Sequence, residues 1–140
     1  SCLRHALLAV GLSLLSTSLL AQTLPPATVY KSSTCGCCTE YVKYLRAQGF
    51  KVSAIDHNNM NALRQQLGTD KVASCHTVKI GAYVVEGHVP VAAIRKMLAD
   101  KPQIKGIALP GMPLGIPIKS ICIKHMRETC KNGITFLRKR

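Results

Sequence analysis

A chain of 140 residues with 47% apolar and 18% charged side chains has the size of one domain and is too apolar to be intrinsically disordered. Its 19 basic and 6 acidic side chains give a net charge of +13, which raises nucleic acid, an anionic membrane surface or an acidic partner as candidates. No nucleic acid is expected: aromatic residues make up 4% with no Trp, and the concentrated charge is terminal, with seven Lys/Arg against one Glu over residues 119–140.

In chain order, Arg4 and His5 precede a largely apolar run from Ala6 to Leu20, followed by Ala21 and Gln22. The pattern predicts a secretory signal peptide over residues 1–21, with an uncleaved amphipathic anchor as the alternative. The uninterrupted apolar portion is shorter than the roughly 20 residues a spanning helix needs, so no stable membrane span is expected after cleavage. The body, residues 22–115, is then exported, and residues 116–140 form a basic C-terminal tail.

Val29–Lys31 reads as a strand. The segment from Cys38 to Gln48 places Tyr41, Val42 and Leu45 on one helical face before Gly49. Lys51–Asp56 alternates like a strand. A second helix takes Asn58 or Asn59 as its cap, Met60, Leu63 and Leu67 as its buried stripe, and Gly68 as its stop. Thr77–Ile80 and Tyr83–Glu86 are joined by Gly81-Ala82 alone, too short for a parallel crossover, so they form a hairpin. Pro90 opens a third helix bearing Val91, Ile94 and Leu98 that ends near Lys101-Pro102.

The order βαβαββα predicts an α/β protein with a mixed sheet and a thioredoxin-like layout. In that layout the start of the first helix lies beside the loop entering the third strand. Cys35, Cys37 and Cys38 sit at the first position and Cys75 at the second, so four sulfurs are expected to converge.

Seven cysteines occur, at positions 2, 35, 37, 38, 75, 122 and 130. Export ordinarily implies a disulfide framework, but three within Cys35-Gly36-Cys37-Cys38 point to reactivity or metal binding rather than loop closure. A helix N-terminus offers unsatisfied N–H groups and a positive dipole end, both of which favour thiolate. Cys37 and Cys38, adjacent on a helix, diverge by about 100°. Diverging thiolates suit several small soft ions, so copper as Cu(I) fits better than one tetrahedral Zn²⁺.

Four ordered motifs carry a resemblance: Cys35-Gly36-Cys37-Cys38, Ser74-Cys75-His76-Thr77, Glu86-Gly87-His88-Val89-Pro90 and Pro110-Gly111-Met112-Pro113. Over about residues 29–115 the chain resembles the DUF411 family of small metal-binding proteins, which includes CopG-like periplasmic copper-resistance proteins. The resemblance implies a thioredoxin-like fold, a periplasmic location and copper handling through Cys35, Cys37, Cys38 and Cys75. His88 and Met112 are additional candidate ligands, as imidazole and thioether donors to copper. His76 is read either as a surface or as a hydrogen-bonding histidine.

After Gly115 the match stops: the family continues with a Ser-Pro-Gly-Met-Glu-like stretch, whereas this chain reads Ile116-Pro117-Ile118-Lys119. In the tail, Cys122, Met126 and Cys130 recur at helical spacing with His125 among them, which reads as a helix face or a disulfide before a second metal site. The expected function is a periplasmic copper-binding protein that contributes to copper resistance by sequestering, transferring or redox-converting copper, with a periplasmic copper-transfer partner. The alternative is a thiol-disulfide oxidoreductase using Cys35 and Cys38. The extra Cys37 and Cys75, and the lack of a Pro before the third strand, count against it.

Overall fold

The structure, a computed structural model, describes residues 23–109 and 134–139. The proposed signal peptide, Met112 and the tail residues Cys122, His125, Met126 and Cys130 lie outside these residues.

Six strands form one mixed sheet. They are β1 (Ala27–Lys31), β2 (Val52–Asp56), β3 (His76–Ile80), β4 (Tyr83–Gly87), β5 (Ile104–Leu109) and β6 (Thr135–Arg138). Three helices, α1 (Gly36–Ala47), α2 (Met60–Leu67) and α3 (Val91–Asp100), connect them, with a 3-10 turn at Asp70–Val72. The sheet order is β2-β1-β3-β4-β5-β6. β1 runs parallel to β2 and antiparallel to β3, and β3 forms an antiparallel hairpin with β4 through Gly81-Ala82. The βαβαββα order expected from sequence is therefore present, with two strands added beyond it.

Local signals account for the element ends. Asn59 caps α2, its Oδ1 accepting the Ala62 N–H at 3.0 Å, and Gly68 closes the helix in the left-handed conformation at φ 69°. Pro90 caps α3 at its start, and Lys101 ends it in a left-handed turn. The added strand β5 runs parallel to β4, with α3 as the crossover. β5, which was not expected from sequence, contains Gly106 opposite Val84. A Cβ there would collide with the Val84 backbone, so glycine is what lets β5 pair so closely with β4. β6 pairs antiparallel with β5 and carries Leu137 inward and Phe136 outward, an alternation hidden among the charges of the basic tail.

The main core lies on one face of the sheet. Ala27 and Val29 of β1, Val78 and Ile80 of β3, Val85 of β4 and Ile107 of β5 meet Tyr41, Val42 and Leu45 of α1 and Val91, Ile94 and Met97 of α3 in a single buried cluster. Thr77 and Glu86 are cross-strand partners whose side chains point to the opposite face. Arg64 of α2 reaches Glu86, so α2 covers that second face. The expected buried stripe of α2 is corrected here: Met60, Leu63 and Leu67 are only half-buried, and the buried residue of the helix is Arg64. β2 is an edge strand, and its residues after Val52 are exposed. Among the described residues no helix is long and apolar enough to cross a membrane.

Candidate metal centre

The register of the sheet brings two distant segments to one corner. Lys31, the last residue of β1, pairs with His76, the first of β3. Because the strands are antiparallel, the chain leaving β1 toward α1 and the chain entering β3 lie at the same end. Cys35, Cys37 and Cys38 follow the first point, and Cys75 precedes the second.

Cys35 is the N-cap of α1, and its sulfur accepts the backbone N–H of Cys38 at 3.3 Å. Cys35 and Cys38 are joined as a disulfide across the first helical turn. Cys37 and Cys38 diverge, as adjacent helical residues must. Cys37 is buried, with Sγ 3.2 Å from Nε2 of His88, whereas Cys38 Sγ lies 3.4 Å from the carbonyl oxygen of Cys75. A disulfide sulfur has no hydrogen to donate, so this last approach becomes a hydrogen bond only when the pair is reduced. Cys75 is a half-buried thiol, and burial raises its pKa. Arg64 and a hydrogen bond from Ser74 pull in the opposite direction, while Glu86 adds to the rise.

Behind the cysteines stands a stack of rings. His76 is fully buried and lies against Tyr41 with centroids 4.3 Å apart; His88 meets His76 edge-on at 4.8 Å and Tyr41 at 5.5 Å. The Tyr41 hydroxyl donates to the carbonyl of Val89 at 2.6 Å, tying α1 to the segment that follows His88. Burial also pushes the Tyr41 phenol pKa far up, so it remains a donor. Among the described residues, neither ring nitrogen of His76 has a partner in hydrogen-bonding geometry. Its pKa is pushed down to about 3, by burial first and then by His88 and Arg64, with the nearby Gly87 backbone acting the other way. Neither reading given for His76 matches this setting: the ring is buried rather than on the surface, and its nitrogens make no hydrogen bond among the described residues.

A buried ion pair supports the corner from the other face of the sheet. Arg64 Nε lies 3.0 Å from Glu86 Oε1, and the two residues are 7% and 0% exposed. Glu86 Oε1 also accepts the Ser74 N–H at 2.8 Å, Oε2 accepts the Thr77 hydroxyl, and Arg64 Nη2 donates to the Ser74 carbonyl. Sequence reasoning included Glu86 and Thr77 in motifs without a role and passed over Arg64. The available signal was a charged residue four positions after Met60, on the apolar face of the predicted helix; such a residue needs a buried partner.

Of the expected ligands, the structure brings Cys35 to Cys38, Cys37 to His88 and the backbone of Cys75 to Cys38. Among the described residues, no group of three Cys, His, Asp or Glu side chains is arranged to hold one metal ion.

The family model described as "Protein of unknown function, DUF411" matches residues 72–117. A solved structure named "Copper resistance protein copG- Form 2" is 41% identical, with 69% of this chain and 77% of that chain covered at a TM-score of 0.61. The chain belongs to the DUF411 family. A second CopG structure, "Form 1", is 42% identical, covers 67% of this chain and 76% of its own, and has a TM-score of 0.59. None of the curated proteins matches. The DUF411 match begins two residues before Ser74, so it takes in Cys75, His76, Glu86 and His88.

Proposed function

We propose that the protein is a periplasmic copper-binding protein that contributes to copper resistance by sequestering, transferring or redox-converting copper at a multi-cysteine site. The observation that carries this reading is the 3.4 Å approach of Cys38 Sγ to the backbone of Cys75, at the end of α1 where Cys35 and Cys37 also lie. The name of the two CopG structures, copper resistance protein, supports it independently.

Copper is the cargo in this account. Reduction of the Cys35–Cys38 disulfide by an external dithiol, which is itself oxidised to a disulfide and supplies the two electrons and two protons, frees two thiols, and the helix N-terminus favours their thiolate forms. In fully reduced protein they join Cys37 and Cys75 in a soft sulfur donor set that prefers Cu(I) to harder divalent ions. The divergence of Cys37 from Cys38 directs sulfur toward more than one ion. His88, beside Cys37, supplies an imidazole donor. Met112 is proposed as a thioether donor on the basis of its motif alone. Delivery would require a periplasmic copper-transfer partner.

A second reading is favoured by one specific feature. The Cys35–Cys38 disulfide at a helix N-terminus is the arrangement a thiol-disulfide oxidoreductase uses. Metal counting and X-ray absorption on anaerobically reduced protein, compared with Cys75→Ala, separate the two. The copper reading predicts more than one copper per chain in sulfur-rich coordination, much of it lost in the variant. Rapid disulfide reduction by metal-free protein, together with copper uptake that is unchanged in the variant, would favour the oxidoreductase.

A further inference from the structure

A buried ion pair is a poor device for stability alone. Desolvating both charges costs several kcal/mol, and well-packed apolar residues usually stabilise a core as well or better. The Arg64–Glu86 pair therefore calls for a role that apolar side chains could not fill. Its remaining contacts supply one. Beyond the pair itself, three hydrogen bonds run from these two side chains to residues 74–77: Arg64 to the Ser74 carbonyl, and Glu86 to the Ser74 N–H and the Thr77 hydroxyl.

Those bonds hold the backbone on both sides of Cys75. Ser74 is held at its N–H and its carbonyl, Thr77 is held at its side chain, and His76 between them is already in register with Lys31 of β1. Arg64 leaves the last turn of α2 and clasps the chain ten residues later, closing the loop that contains the 3-10 turn. Gly87 completes the arrangement: a Cβ there would stand 3.0 Å from Ser74 Oγ, so a side chain would push against the anchored residue. Cys75 is thus placed from α2 and β4, neither of which contributes a cysteine.

We propose that Arg64 and Glu86 are positioning residues of the metal centre, holding the Cys75 backbone against the N-terminus of α1 so that its thiol is presented to the Cys35, Cys37 and Cys38 sulfurs. The clamp deepens the copper reading above and rests on it for its purpose.

The test uses the full chain with Arg64→Met combined with Glu86→Gln, which leaves no unpaired buried charge and keeps an amide oxygen to accept from Ser74. Thr77→Val serves as a milder second variant that removes one anchor alone. Far-UV circular dichroism establishes folding. The first readout needs no metal: iodoacetamide alkylation of Cys75, followed by peptide mass spectrometry with the Cys35–Cys38 disulfide kept oxidised. Alkylation is expected to rise about tenfold in the double variant and about threefold in Thr77→Val. The second readout is Cu(I) affinity of reduced protein by chelator competition. The double variant should match Cys75→Ala, with no further loss when the changes are combined. Folded variants with wild-type alkylation rates and wild-type Cu(I) affinity would overturn the proposal. If wild-type protein binds no Cu(I), the copper reading falls, and the alkylation rates still decide whether the clamp positions Cys75.

Discussion

Cys38 and Cys75 are 37 positions apart, and the sulfur of the first lies 3.4 Å from the carbonyl oxygen of the second. The contact follows from the antiparallel pairing of β1 with β3, which returns the chain to the end of the sheet from which α1 departs. It places the thiol-bearing segment beside a disulfide, which makes the redox state of that disulfide a test of the proposed copper site.

Oxidised protein should therefore take up less copper than reduced protein. With Cys35–Cys38 closed, two of the four proposed sulfur donors are withdrawn, so the Cu(I) capacity should fall by about half, in proportion to them. Copper counting before and after treatment with a phosphine reductant measures it. Equal uptake in both states would remove Cys35 and Cys38 from the ligand set.

The stability of metal-free protein should depend on pH through His76. Its folded pKa, about 3, lies below the usual 6.5, so the unfolded chain binds the extra proton first as pH falls. This contribution to stability is fully present above pH 6.5 and is lost progectively toward pH 3, at about 1.4 kcal/mol per pH unit. The groups facing the ring, His88 and Arg64, oppose its protonation further. Urea denaturation of wild type and His76→Phe between pH 7 and pH 4 should show a shallower decline in the variant; parallel declines would contradict the assignment.

Tyr41→Phe removes the hydroxyl that donates to Val89 and leaves that carbonyl without this donor in a buried setting. A loss of about 1–3 kcal/mol in unfolding free energy is expected from urea titration. The ring stack with His76 should survive, because the phenyl face is retained.

Three glycines should respond differently to alanine. At Gly36 a Cβ meets nothing within 4 Å and the backbone is helical, so the change should be tolerated. At Gly106 it would collide with the Val84 backbone and force β5 from β4, and at Gly87 it would meet the Leu109 carbonyl in a left-handed backbone conformation with φ at 81°. Thermal melts should rank Gly36→Ala near wild type and the other two well below it.

Much of the fold was legible because its signals are local. Asn59, Gly68, Pro90 and the two-residue Gly81-Ala82 link each mark an element end through backbone chemistry that operates within a few residues. β5 was not legible, because Gly106 reads as a break until Val84 is known to lie against it. β6 was hidden because four alternating residues in a basic tail carry too little pattern. At the site, the divergence of Cys37 and Cys38 followed from helical geometry, and the return of Cys75 followed from element order. Arg64 was missed for the opposite reason: its meaning depends on Glu86, 22 residues on and on another element, and no local pattern announces that pairing.

The most direct test of the account is the number of Cu(I) ions bound per chain by anaerobically reduced protein, wild type against Cys75→Ala, read by metal analysis with X-ray absorption at the copper edge. The account predicts more than one copper in sulfur-rich coordination for the wild type and a marked loss in the variant. A single zinc, or copper content that is the same in both proteins, would contradict it.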